Sequence, residues 1–384
     1  MIFSAIFSSI LLLMPPLTGV FLAGLPIERY LEFPPRTMYV RHAGASWPVF
    51  AALAIVLCLF LYPFVSRFLA ASPGAGSRHS GQRWSYPWWG RIALAVCLAS
   101  WLLSWTRFPW FQSFQPYTFI PLWCSFVFVL NAVCHRLKGS SLVERHPWRF
   151  AALFPLSSIF WWYFEFLNRF VQNWHYLGVD DFSPAGYCIT ASLSFSTVLP
   201  AVLSMNELLK VFPRFKKAFG NFVSIRMSHP VAVAAAVLFF SAIGLLAMGI
   251  LPDFLFSLPW VAPLIIVTAV NRLLGLPTVC EGIENGDWSG LCRLAAAGLV
   301  CGFFWEMWNY YSYAKWIYSI PYVGQLRIFE MPLLGYAGYL PFGIECGLVS
   351  AVILGLNPVL HSESCRSGNH AQTGHLPDNE DSND

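Results

Sequence analysis

Charge is scarce in this sequence: Asp, Glu, Lys and Arg together make up 11% of its 384 residues, against 57% hydrophobic residues. That is about half the charged share of an ordinary soluble domain, too little to clothe one in a polar surface. Also missing are the short motifs of metal, redox and nucleotide chemistry. No CxxC joins the ten cysteines, no HxxH or HxxxH joins the nine histidines, and Gly-rich phosphate loops, Walker motifs and GxSxG elbows are absent. These absences argue against metal-dependent oxygenases and desaturases and against nucleotide hydrolysis, so no metal and no cofactor is expected. Cys58, Cys97, Cys124, Cys134, Cys301 and Cys346 fall inside apolar runs, where packing thiols are the plain reading.

What the chain has instead is apolar runs of about twenty residues, the length that crosses a ~30 Å hydrocarbon core as a helix. They begin near residues 3, 47, 88, 117, 149, 185, 230, 256, 291 and 336. Unpaired backbone donors are not tolerated in lipid, and the runs are too long and too uniform for barrel strands. The expected fold is therefore all-α: a polytopic integral membrane bundle of about ten transmembrane helices. The first run, Ile2 to Ala23, lacks a basic leader and carries Pro15-Pro16, which predicts a span with room for a kink rather than a signal peptide. With the amino end inside, sixteen Lys and Arg residues fall on the cytoplasmic side, among them Arg67, Lys138, Arg145, Lys210, Lys217, Arg272 and Arg293. Seven fall outside: Arg29, Arg36, Arg41, Arg107, Arg169, Lys315 and Arg327. The bias predicts both termini in the cytoplasm and an inner (plasma) membrane location. The net charge of +4 is then topogenic, and no nucleic-acid partner is expected. The last stretch, 361–384, is polar and acidic and reads as a disordered tail.

Two stretches repeat at a nearly constant offset. Glu165-Phe-Leu-Asn168 matches Glu306-Met-Trp-Asn309 at 141, Trp174-His-Tyr176 matches Trp316-Ile-Tyr318 at 142, and Leu199-Pro200 matches Leu340-Pro341 at 141. Upstream, Pro109-Trp-Phe111, Pro116-Tyr117 and Pro121-Leu122 match Pro252-Asp-Phe254, Pro259-Trp260 and Pro263-Leu264 at 142 to 143. Such a pattern predicts a duplication of four helices each. An even shift in spans makes the repeat parallel, with a shared cavity between the halves as the natural ligand site. The expected divisions are 1–86, two helices outside the repeat; 87–229 and 230–360, the repeats; and 361–384, the tail.

An ionisable residue inside an apolar helix costs ~2.5–3.5 kcal/mol on insertion scales, so each needs a reason. Glu165, Glu306 and Glu345 qualify. Glu306 follows Trp305 and precedes Trp308 in aromatic, nearly uncharged surroundings, and is expected to keep its proton and serve as a donor. Asn309 lies on the same helical face and is expected to orient it, as Asn168 would orient Glu165. The plainer alternative is that Glu and Asn hold helices together by hydrogen bonds. Trp161, Trp162, Phe164, Trp305 and Trp308 flank the acids, and aromatic faces attract cations. Trp174, Tyr176, Trp316 and Tyr318 complete the candidate substrate site, though Trp174 and Trp316 also suit an interfacial belt. Glu330 is expected at the outer mouth of the last span, where helix capping competes with substrate binding. Glu345 follows Pro341 by four residues, and its counterpart across the repeat is Ser204. Glu32 reads more simply as one partner of a surface ion pair.

Gly24-Leu25-Pro26-Ile27-Glu28, with Leu31 and Phe33, resembles the Gly-Leu-Pro-Leu-Glu-Glu-x-Leu-Phe-Phe signature of the small membrane lycopene cyclase domains over about ten residues. Trp305-Glu306 and Trp316-Ile-Tyr318 are similar to the acidic residue beside Trp and the following Trp-x-Phe element of those domains. Membrane terpene cyclases of the fungal meroterpenoid type are similar in pairing buried acids across repeated halves. The chain departs from the signature at Arg29, which stands where a second Glu is usual, and at Pro34-Pro35. The resemblance implies non-redox isomerisation of a polyene, with a glutamic acid protonating a double bond, aromatic rings stabilising the carbocation, and Glu28 as the signature glutamate. The substrate would be apolar and lipid-like, drawn from the bilayer. A proton-coupled transporter with Glu165 and Glu306 as relays, and a non-catalytic scaffold, are the competing expectations; the oligomeric state is open.

Overall fold

The computed structural model describes residues 2–72, 84–279 and 281–355; the stretch read as a tail, 361–384, lies outside them. The long helices are α1 (Ile2–Leu22), α2 (Trp47–Ala70), α3 (Trp88–Trp105), α4 (Phe119–Lys138), α5 (Pro147–Val171), α6 (Pro184–Phe195), α7 (Val198–Leu209), α8 (Pro230–Ala247), α9 (Ala262–Leu273), α10 (Ser289–Tyr310) and α11 (Tyr339–Leu354). Among the described residues seven helical segments are long and apolar enough to cross a membrane, α6 and α7 together making one of them. The segment Pro252–Trp260 with α9 makes an eighth if it counts as one span, bent by 58° where Pro259 and Pro263 flank the break. The chain is an integral membrane helical bundle. The apolar part of α1, Ile6–Leu22, is shorter, and α11 has 16 residues. Pro15 and Pro16 lie inside α1 rather than ending it.

Local chemistry explains several boundaries. α4 ends in His135, Arg136 and Lys138, cations favoured at a helix carboxyl end, and Gly139 follows at φ 78, a conformation glycine adopts without strain. Ser183 caps α6 by accepting from the Gly186 amide at 3.1 Å. The apolar run beginning at 185 is interrupted at Ser196 and Thr197, whose hydroxyls donate back to the carbonyls of Leu193 and Ser194.

α7 is the central helix. Its residues from Val198 to Glu207 are all buried, and it packs against α4, α5, α10 and α11. α2 is peripheral, with Phe50 its buried residue, which leaves most of its apolar surface facing outward. α10 and α11 come together at glycines: a Cβ added to Gly298 would lie 2.4 Å from the Tyr339 carbonyl oxygen, and one added to Gly343 would lie 2.2 Å from that of Leu294. Small residues at such a crossing let two backbones meet, and Gly298-Leu-Val-Cys-Gly302 is a GxxxG spacing.

The bundle is not purely helical. β1 (Trp174–Leu177) and β2 (Lys315–Tyr318) pair antiparallel, and β3 (Arg327–Ile328) pairs with β4 (Met331–Pro332). In the first sheet Trp174 faces Tyr318, His175 faces Ile317, and Tyr176 faces Trp316. Each of these strands leaves the carboxyl end of a long helix, α5 or α10. Gln172, left-handed at φ 48, makes the turn out of α5, and its side chain bonds the backbone of Thr37, Tyr39 and Val40, tying the segment after α1 to this end of the bundle.

Candidate functional site

The two buried glutamates near the ends of α5 and α10 each sit in a cage of aromatic hydrogen-bond donors. Glu165 Oε1 accepts from the Trp161 indole at 2.9 Å, the Trp174 indole at 3.0 Å and the Tyr176 hydroxyl at 2.6 Å. Glu306 Oε1 accepts from the hydroxyls of Tyr318 and Tyr339, both at 2.6 Å, and more distantly from the Trp316 indole at 3.4 Å. That indole also donates to the Tyr318 oxygen at 2.8 Å. Glu306 is 0% exposed, and its Oε2 has no hydrogen-bond partner. In β1 and β2, burial together with the adjacent carboxyls pushes the Tyr176 and Tyr318 phenols well above their ordinary range, so both are protonated donors in the resting site.

The donors of both cages line one cavity, where the sheet meets the helix ends. Trp161, Trp174, Tyr176, Trp305, Trp316, Tyr318 and Tyr339 form its wall, with Phe119, Tyr187, Phe195 and Trp260 completing it. The space is about 990 Å³, part of it open to the outside. Its polar components are mostly hydroxyls and indole N–H groups, and one cation, Lys315, lies at the edge, 2.5 Å from Glu330 Oε1. The glutamates stand behind this wall, so a bound molecule meets the aromatic donors first.

The other expected site residues divide. Trp305 lines the cavity, whereas Trp308 is buried away from it among Trp101, Trp123, Phe126 and Phe304. Trp162 also lies off the cavity wall, donating to Ser192 Oγ at 2.9 Å and packing on Phe195. Asn168 and Asn309 do not orient the acids. Each amide brackets a residue at the start of a strand, the second of β2 and the first of β1: Asn309 donates to the Trp316 carbonyl at 2.7 Å and accepts from its N–H at 2.9 Å, and Asn168 does the same for Trp174 at 2.8 and 3.3 Å. The reason is that the helix has just ended, and a strand leaving it needs its first peptide satisfied more than the already caged carboxyl needs a further donor.

Glu330 is not a helix cap; it occupies the turn between β3 and β4 and pairs with Lys315. Glu28 is exposed on a short helix, Glu28–Leu31, and does not line the cavity. The inward-facing residue there is Tyr30, stacked on Phe170 at 4.9 Å, because a helix this short buries one side only. Glu32 is the partner of Arg169 at 3.3 Å, an ion pair at the rim of the bundle. Glu345 is buried in α11, away from the cavity, with neither oxygen hydrogen-bonded.

Trp161, expected beside the acids, lines the cavity, and so do Tyr339 and Trp260, which were not among its expected residues. Tyr339 carried a hidden signal. Trp161 plus 141 is 302, a glycine, and Val198 plus 141 is 339. A Cβ on Gly302 would lie 2.3 Å from the Tyr339 ring, so the glycine makes room for that tyrosine. The Glu165 cage thus draws a donor from the helix bearing its acid, and the Glu306 cage draws one from the next helix. Comparison of the chain with protein-family models, curated proteins and solved structures gives no match.

Proposed function

We propose that this protein is a membrane-embedded general-acid catalyst, an isomerase or cyclase of an apolar isoprenoid-type substrate, with Glu306 as the acid. One observation carries the reading: two buried carboxyls each receive phenol and indole hydrogen bonds from the wall of a single aromatic cavity. A proton passes from Glu306 through a cavity-facing phenol, Tyr318 or Tyr339, to a substrate double bond. The phenol replaces its proton with the carboxyl's, and the hydrogen bonds left on Oε1 stabilise the carboxylate that remains. The carbocation lies against indole and phenol faces, each worth ~2 kcal/mol or more when desolvated. It is discharged by losing a different proton toward the Tyr176–Glu165 cage. One proton enters and one leaves, so the reaction is redox-neutral and needs no cofactor.

The same reading includes ten spans with both termini in the cytoplasm, and residues 87–229 and 230–360 as parallel repeats about an axis along the membrane normal. The register of β1 and β2 supports it. Trp174 faces Tyr318 while their counterparts Trp316 and Tyr176 face each other, the self-complementary pairing a two-fold axis through His175 and Ile317 produces. The cationic residues Lys138, Arg145, Lys210, Arg272 and Arg293 also gather at the helix ends opposite this sheet, the end assigned to the cytoplasm.

The test is untargeted lipid and pigment mass spectrometry of cells supplied with isoprenoid precursors and expressing wild type or Glu306→Gln. A new species of unchanged mass and shifted retention, lost in the variant, is expected; identical profiles across a broad precursor panel would sink the catalytic reading. Proton-coupled carriage is the second reading, favoured by the placement of both caged acids behind the wall of one cavity, which Lys315, paired with Glu330, also lines. It predicts accumulation of an unaltered solute with the same sensitivity to Glu306→Gln.

A further inference from the structure

Glu345 plays no part in that chemistry, yet it is 1% exposed in an apolar bundle with both carboxyl oxygens unpartnered. The matching residue of the other half, Ser204, is satisfied by the Asn131 amide at 2.8 Å. Three more buried hydroxyl oxygens lack partners: Ser8 Oγ, Tyr163 Oη and Thr268 Oγ1. Helix geometry gathers them. Ser4 Oγ donates to Asn271 Oδ1 at 2.5 Å, joining the first turn of α1 to the last turn of α9, and the two helices stay in contact as they run in opposite directions. Ser8, one turn along α1, therefore comes level with Thr268, about one turn back along α9. Ile344 and Leu348 of α11 pack in one cluster with Leu264 and Val267 of α9, which sets Glu345 beside the same stretch. Its carboxyl is within electrostatic reach of the Tyr163 phenol on α5. Four helices that pack on one another thus carry five unsatisfied oxygens, two of them on Glu345.

We propose that these oxygens form a binding site for a monovalent metal cation, sodium by its donor chemistry. All four donors are hard oxygens, and the three hydroxyls can each offer a lone pair while keeping their protons. None of them hydrogen-bonds another, so their lone pairs are left for an ion. One carboxylate balances one positive charge, so the loaded site is neutral in hydrocarbon, whereas a divalent ion would leave a net charge there. Among the described residues no group of three or more His, Cys, Asp or Glu offers the anionic set a divalent ion prefers. The site also has the placement of an ion site between membrane helices. Glu345 is six residues along α11 from Tyr339, ~9 Å from the cavity end, with Leu348 and Leu291 between it and the opposite end.

The full-length protein, purified in detergent, is titrated with sodium, potassium or choline chloride at constant ionic strength, and its thermal midpoint is followed by tryptophan fluorescence. Sodium is expected to raise the midpoint saturably and choline to leave it unchanged. Glu345→Gln should abolish the sodium response, while Glu306→Gln retains it. Should Glu345→Gln fail to fold, Ser8→Ala and Thr268→Val each remove one neutral ligand and should raise the half-saturating sodium concentration about tenfold, ~1.4 kcal/mol. Equal midpoints in sodium and choline would overturn the proposal, as would an intact sodium response in Glu345→Gln. A midpoint that follows pH and ignores sodium would also overturn it, leaving Glu345 a proton site.

Discussion

Gly298→Ala tests whether the α10–α11 crossing holds Glu306 in its cage. The new Cβ would lie 2.4 Å from the Tyr339 carbonyl oxygen and 2.7 Å from Gly343 Cα, where ordinary contact begins at 3.4 Å. Both obstacles are backbone, so no rotamer change absorbs the clash, and α11 must retreat by about 1 Å at a cost in the upper part of the ~1–3 kcal/mol range for overpacking. Tyr339 moves with α11. Its 2.6 Å hydrogen bond to Glu306 would stretch beyond useful reach, removing about 1 kcal/mol more. At about 3–4 kcal/mol in all, the thermal midpoint of the purified chain should fall by roughly 6–16 °C, since each kcal/mol is worth ~2–4 °C in a fairly large domain. Gly44→Ala is the control, because nothing lies within 4 Å of its added Cβ. If Gly298→Ala melts with the wild type, the close approach does not constrain the helices and the cage does not depend on it.

Further expectations concern the strands, the cages and the rim. Asn309→Ala removes two hydrogen bonds to Trp316, of 2.7 and 2.9 Å, and should lower stability by about 2 kcal/mol in denaturation of the purified chain; an unchanged midpoint would deny the amide its role in launching β2. Tyr339→Phe should slow substrate protonation, whereas Trp161→Phe, acting on the Glu165 cage, should shift which product isomer forms; the mass-spectrometric assay separates rate from product ratio, and equal effects on both would refute the assignment of acid and proton acceptor. Burial alone would raise the Glu32 carboxyl, but the Thr37 hydroxyl and amide and the Arg169 guanidinium outweigh it and hold the group below its ordinary 4.5. A carboxyl lowered on folding adds stability that is present above the unfolded value and lost as pH falls through the folded one, so below about pH 4.5 the wild-type midpoint should drop more steeply than that of Glu32→Gln. Parallel curves would show that Glu32 makes no net contribution.

Much of the bundle was legible because span length and apolarity are local properties: the ten apolar runs all coincide with helices or helix pairs among the described residues. Where a run breaks was not legible. The bend before α9 and the interruption between α6 and α7 arise from prolines and back-bonding hydroxyls inside otherwise apolar sequence, and composition averages over both. The strands escaped for a related reason. Trp174–Leu177 and Lys315–Tyr318 are four residues each, and their pairing joins segments more than a hundred residues apart, so neither shows an alternating pattern long enough to detect. Glu165 and Glu306 were visible as charges out of place. Tyr339 was not, because an aromatic residue at a helix start is common in a chain that is 17% aromatic. The Glu28 motif was legible only as a string of letters; its exposed position depends on how the segment after α1 folds back onto Gln172 and Arg169.

The two cages differ in their donors. Two equivalent acids facing one cavity would compete to donate the same proton. Each acid has three donors, but Tyr339, for which Gly302 leaves room, gives Glu306 two phenols where Glu165 has one. Phenols are shorter, stronger donors to a developing carboxylate than indoles, as the 2.6 Å and 2.9–3.4 Å contacts here illustrate. The Glu306 cage is therefore the better built to stabilise an acid that has released its proton, and the Glu165 cage, walled by two indoles, to sit beside a cation.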